Sequence, residues 1–178
     1  QCTVGTCDES ADQCTADPLA NGTACDNGDS CAGDTCQAGT CQAQTCGLDH
    51  IIFAQVSYDT PGTDSAEEFI ELFNPTGAAV SLSGWTIEDN NGSWSVPGGT
   101  TIGAGQYLSI ARQSNGFENL YGIYPDISGL SLALGNSGDR LTLFDGADQE
   151  IDAVAWEGYV SGWSIYASTG QSIVRSDL

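Results

Sequence analysis

The chain has 178 residues, with 24 aspartates and glutamates against three arginines and no lysine, for a formal charge of -21. That length suits one or two domains. So acidic a surface repels phosphate backbones and anionic lipid, so nucleic acid is not an expected partner; the carboxylates serve either solubility in a salty medium or the gathering of calcium outside cells.

All eight cysteines fall between Cys2 and Cys46. In that stretch the only aliphatic side chains larger than alanine are Val4 and Leu19, and there is no aromatic. Such a segment cannot bury enough apolar area to offset its chain entropy. The composition therefore predicts a small disulfide-rich N-terminal segment over 1–47 and an oxidising, extracellular or cell-surface location. The spacings contain no C-x2-C pair, and His50 lies outside the cluster, which argues against zinc or an iron–sulfur centre. Neither a signal peptide nor an apolar run near the ~20 residues of a membrane span occurs, so no membrane span is expected here.

Cys2-Thr-Val-Gly-Thr-Cys7 recurs as Cys36-Gln-Ala-Gly-Thr-Cys41, and Cys41 to Cys46 repeats the spacing again. Tandem small modules of this kind act as spacers. The stretch Asn21-Gly-Thr-Ala-Cys25-Asp-Asn-Gly-Asp-Ser-Cys31 through Cys36 resembles cysteine-rich repeats of large secreted bacterial proteins. Within it, Asp26, Asn27, Asp29 and Asp34 are candidate calcium ligands. Their spacing is not that of an EF-hand. The alternative is that Asp and Asn beside Gly form turns.

From His50 the pattern changes. Strands are predicted at Ile51–Val56, Glu67–Phe73, Ala79–Leu82, Trp85–Ile87, Trp94–Val96, Tyr107–Ile110, Arg140–Phe144, Glu150–Trp156 and Ser172–Val174. Most alternate, and Gly, Pro or Asn/Asp pairs separate them. Asn115–Tyr124 reads as one short helical turn or a loop. Hairpins are placed at Asp89–Ser93 and across Phe144–Glu150. Leu141, Leu143, Ile151, Val154, Trp85 and Trp156 are the candidate core, with a bulge near Ala153.

These elements resemble the lamin-tail domain family over about residues 50–178. The resemblance is carried by Glu68-Phe-Ile-Glu-Leu-Phe-Asn74 with Gly77, Leu82-Ser-Gly-Trp-Thr-Ile87, Gly103-Ala-Gly-Gln-Tyr-Leu108, Asn136-Ser-Gly-Asp-Arg-Leu-Thr-Leu-Phe-Asp145 and Ile151-Asp-Ala-Val-Ala-Trp156. It implies an all-β, immunoglobulin-like β-sandwich and a non-catalytic, adhesive or scaffolding role. The heptads and basic targeting signal of nuclear lamins are absent from the sequence, so the resemblance is to the bacterial secreted type.

No catalytic residue is expected. Glu68 and Glu71 lie three apart on a strand and so point to opposite faces. Asp59, Asp64, Glu67 and Glu68 gather at a loop–strand junction, a second candidate calcium site. The expected function is an extracellular structural module that binds protein partners or copies of itself and is stabilised by calcium. The alternative is a carbohydrate-binding module, with Trp94, Tyr121, Tyr124, Tyr159, Trp163 and Tyr166 as stacking rings, or an accessory part of a secreted hydrolase.

Overall fold

The computed structural model describes residues 3–8, 13–21, 23, 35–38, 40–42 and 49–176. The chain divides into two compact units, Gln1–Gly47 and Leu48–Leu178. The first holds two antiparallel ribbons. β1 (Thr3–Asp8) pairs with β2 (Gln13–Pro18), and β3 (Thr35–Gln37) with β4 (Thr40–Gln42). The side chain of Asn21 accepts from the Ala38 amide, and the Thr23 carbonyl accepts from Cys36.

The second unit begins with β5 (Ile52–Ser57), a single helical turn α1 (Asp64–Glu67) and β6 (Phe69–Phe73). Short strands β7 (Val80–Ser81), β8 (Thr86–Glu88), β9 (Ser93–Ser95) and β10 (Thr101–Ile102) follow. Next come β11 (Tyr107–Ala111), α2 (Ser114–Tyr121) and β12 (Ile127–Ser128). The unit ends with β13 (Asp139–Phe144), β14 (Glu150–Trp156) and β15 (Ile173–Val174). One sheet runs β12-β11-β6-β5-β15 and another β14-β13-β8-β9, while β10 and β7 form a ribbon.

Alternation places the core. Ile70 and Leu72 of β6, Leu108 and Ile110 of β11, Ile87 of β8, and Leu141 and Leu143 of β13 meet in one cluster with Trp156. Trp156 is fully buried, stacks on Tyr58 at 5.0 Å and donates from Nε1 to the Gly135 carbonyl. Burial of each such large side chain contributes about 1.5–3 kcal/mol. Trp85, Ile151 and Val154 pack against this core while remaining partly exposed.

The expected immunoglobulin-like β-sandwich is corrected. The sheets are mixed, because β12 runs parallel to β11, and two helices interrupt the strand order. The sheets share a core without closing into that sandwich. α2 is the physical reason: it carries the chain from the end of β11 back beside it, and its Phe117 packs on Phe69 and Ala111 on the sheet's other face. The disulfide framework expected for residues 1–47 is also not part of the described architecture. Of the eight cysteines only the Cys36 side chain is described; it is buried and disulfide-bonded.

Smaller differences have local causes. Glu67 closes the α1 turn instead of opening a strand, because Ala66 and Glu67 amides bond back to the Thr63 carbonyl and Glu68 to Asp64. The β13–β14 register shifts between Leu143 and Phe144, opposite Ile151, not at Ala153. The two hairpins form where expected, each closed by an aspartate: Asp89 accepts from the Asn91 and Gly92 amides, and Asp145 from those of Ala147 and Gln149.

α1 lies against α2 at Gly116, where a Cβ would collide with the Ala66 carbonyl. Backbone cannot yield as a flexible side chain would. Gly116→Ala is therefore expected to destabilise the second unit by about 1–3 kcal/mol, read from urea unfolding. An unchanged midpoint would mean that the two helices do not pack this closely.

Candidate binding surface

The members of the expected acidic junction take different partners. Asp64 Oδ1 accepts from the Thr60 amide at 3.1 Å and hydroxyl at 2.8 Å, and its Oδ2 from Asn136 Nδ2 at 2.9 Å. Asp59 Oδ1 accepts from the same Asn136 amide at 3.3 Å, and its Oδ2 from Thr169 Oγ1 at 2.6 Å. Burial works against the Asp64 charge, but the Thr60 and Asn136 hydrogen bonds outweigh it and hold the carboxyl below its ordinary value. Asn136 thus brings Asp59 and Asp64 together. Glu67 turns away to accept from the Gly62 amide at 2.9 Å.

Glu68 goes inward. Its side chain is 3% exposed, and Oε2 accepts from Arg112 Nη1 at 2.8 Å and from the Leu134 amide at 3.2 Å. Burial pushes this carboxyl up to about 7, against the pull of Arg112 and Leu134. Glu71, on the other face of β6, is half-buried, as the strand period requires. Among the described residues no three His, Cys, Asp or Glu side chains gather as metal ligands. Asp26, Asn27, Asp29 and Asp34 lie outside the described residues.

A groove of about 540 Å³ opens between β5 and β15 on one side and β14 on the other. Val56, Val154, Ile165 and Ile173 make it apolar, and Trp163 stands at its side. Its polar feature is an ion pair that latches the two sheets. Arg175 Nη2 reaches both Asp152 oxygens at 3.0 and 2.9 Å, and its Nε donates to the Phe53 carbonyl at 3.2 Å. Asp152 Oδ2 accepts in turn from the Phe53 amide at 2.7 Å.

The rings expected to form a glycan platform are dispersed. Trp94 packs on the core and donates to the Gly129 carbonyl, while Tyr121 leans on Phe69 and Phe117. Tyr124, Tyr159, Trp163 and Tyr166 are exposed singly, without ring contacts among the described residues.

The Lamin Tail Domain family model matches residues 46–158, more than half of the chain. The chain belongs to the lamin tail domain family. The domain is in general a non-catalytic, structural module. No curated protein matches the chain. Among the described residues of this lamin tail domain, no helix is long and apolar enough to cross a membrane.

Three polar residues of the domain, none assigned a role from the sequence, hold its loops. Buried Asp139 accepts from the Gly135 amide on one oxygen and from the Asn90 and Arg140 amides on the other. Buried Asn74 donates to the Ala78 and Ile102 carbonyls and accepts from Thr76. The Tyr58 hydroxyl donates to Glu157 at 2.6 Å and accepts from the Ala167 amide. The signal available for Asp139 was its place at the head of a strand after Asn-Ser-Gly, where an aspartate accepts turn amides.

Burial on folding pushes the Glu68 carboxyl from its ordinary 4.5 up to about 7. A raised acid pKa means the folded state binds the proton more tightly. The stability it contributes is full below 4.5 and is lost as pH rises through 7. The stability difference between the native chain and Glu68→Gln should therefore fall by on the order of 2–3 kcal/mol between pH 4.5 and 7.5. Paired urea titrations read it directly, and a difference independent of pH would contradict the assignment.

Proposed function

We propose that this lamin tail domain is an extracellular scaffolding module, of the type appended to secreted bacterial proteins, that holds protein partners at a cell surface. The observation that carries this reading is the fate of Glu68. A buried carboxyl poised near neutrality is the group an active site would use as acid or base. Here it is tied to Arg112 and to the Leu134 amide. Asp59 and Asp64 are likewise committed to Asn136, Thr60 and Thr169. The Cys36 disulfide supports an oxidising compartment.

Copies of the chain at -21 repel one another, so self-association belongs to conditions where salt or calcium screens the charge. Calcium stabilisation is proposed for Asp26, Asn27, Asp29 and Asp34 in the first unit. A glycan-binding role through the six named aromatic rings draws less support, since Trp94 packs on the core and Tyr121 on Phe69 and Phe117.

The purified chain is expected to show no turnover of chromogenic phosphodiester, glycoside or peptide substrates above buffer, with or without calcium. Light scattering should show monomers at low salt, and larger species only on adding salt or calcium. Turnover that disappears in Glu68→Gln would overturn the scaffolding reading.

A further inference from the structure

The outer face of the five-stranded sheet carries an unusual row. Gln55 of β5, Glu71 of β6 and Ser109 of β11 stand side by side in register. Glu71 is half-buried, and its neighbours' donors are turned away from it. Gln55 Nε2 donates to Ser172 Oγ at 2.7 Å, and Ser109 Oγ to Asp126 Oδ2 at 2.8 Å. Among the described residues no group donates to the Glu71 carboxylate. Asp126 takes the Ser109 amide on the same oxygen, Oδ2, so its Oδ1 has no donor there either. Burial and the Asp126 charge hold the Glu71 carboxyl above its ordinary value.

Rings flank this row on both sides along the strands. Phe73 and Tyr107 lie across from one another with centroids 4.5 Å apart, and Tyr107 is 48% exposed. About 13 Å back along β6, by the strand rise, Phe69 carries Tyr121. The face is therefore an aromatic strip with two undersatisfied carboxylate groups.

The charge of the molecule says what covers it. Two carboxylates beside π-faces attract a cation. The chain has no lysine, and its three arginines are spent on Glu68, Glu150 and Asp152. A second copy thus brings more negative charge and, among the described residues, no arginine without an acidic partner. A neutral sugar hydroxyl donates a hydrogen bond but leaves the repulsion between Glu71 and Asp126 in place.

We propose that this sheet face docks an extended lysine- or arginine-bearing segment of a partner protein, with its aliphatic stem on Phe73 and Tyr107 and its cation between Glu71 and Asp126. The inference rests on the scaffolding reading and names the chemistry of the partner.

A lysine–serine peptide of ~8 residues, the length of a strand, titrated calorimetrically into the full chain at about 0.15 M salt, tests it. Glu71→Gln and Tyr107→Ala should each weaken binding about tenfold. Glu88→Gln removes one exposed charge from the other sheet and should change affinity less than about twofold. Glu71→Gln should melt at or above the native temperature at pH 7, because it removes an unpaired, part-desolvated charge. Equal weakening by Glu88→Gln would reduce the effect to net charge and overturn the docking face. Absent peptide binding, or binding of neutral oligosaccharides that Tyr107→Ala abolishes, would overturn it too. None of these results bears on catalysis, so the scaffolding reading fails only through the turnover assay.

Discussion

The second unit depends on one buried contact, the ion pair between Glu68 and Arg112. Glu68 stands between α1 and β6, and Arg112 between β11 and α2. The Arg112 amide bonds the Glu68 carbonyl while the side chains pair, so backbone and charge reinforce one another. The same carboxylate oxygen takes the Leu134 amide and draws in the segment that leads to β13. Taking the carboxylate out of water costs several kcal/mol, and the guanidinium offsets this only while the geometry holds. Loss of either partner leaves the other buried and unpaired, which is why both helices and the Leu130–Leu134 segment follow from this contact.

Other polar groups repeat the device on a smaller scale. Asp139, Asn74 and Tyr58 are buried, and each bonds a loop amide or carbonyl distant in sequence, at Asn90, Ile102 and Ala167. Arg175 and Asp152 fasten the edge of one sheet to the outermost strand of the other. No buried side-chain nitrogen or oxygen lacks a partner among the described residues. A framework pinned this way keeps its strands in register without needing its acids for chemistry. With the three arginines paired to Glu68, Glu150 and Asp152, the chain keeps a strong excess of negative charge, and that asymmetry shapes what it can bind.

Much of the strand pattern was legible because alternation and turn chemistry are local. Leu141 and Leu143, the Asp89 and Asp145 turns, and the opposed faces of Glu68 and Glu71 all follow from period two and from aspartate side chains capping amides. What was not legible depends on contacts far apart in the chain. α2 holds only two buried residues, Gly116 and Phe117, too few to show a helical period. β12 is two residues long, and its parallel pairing follows from where α2 sets the chain down. The Glu68 partner lies 44 residues away, and no spacing rule announces it. The acidic junction was read as a cluster, whereas Asn136 joins only Asp59 and Asp64, and Gly62 and Arg112 hold Glu67 and Glu68 elsewhere.

The central claim is that Glu68 and Arg112 act as one structural unit. A double-mutant cycle with Glu68→Gln, Arg112→Met and the double variant, followed by urea unfolding at pH 8, measures their coupling. The account predicts a coupling energy of about 2 kcal/mol or more, with the double variant more stable than the sum of the single losses implies. Additive losses, with no coupling, would contradict it.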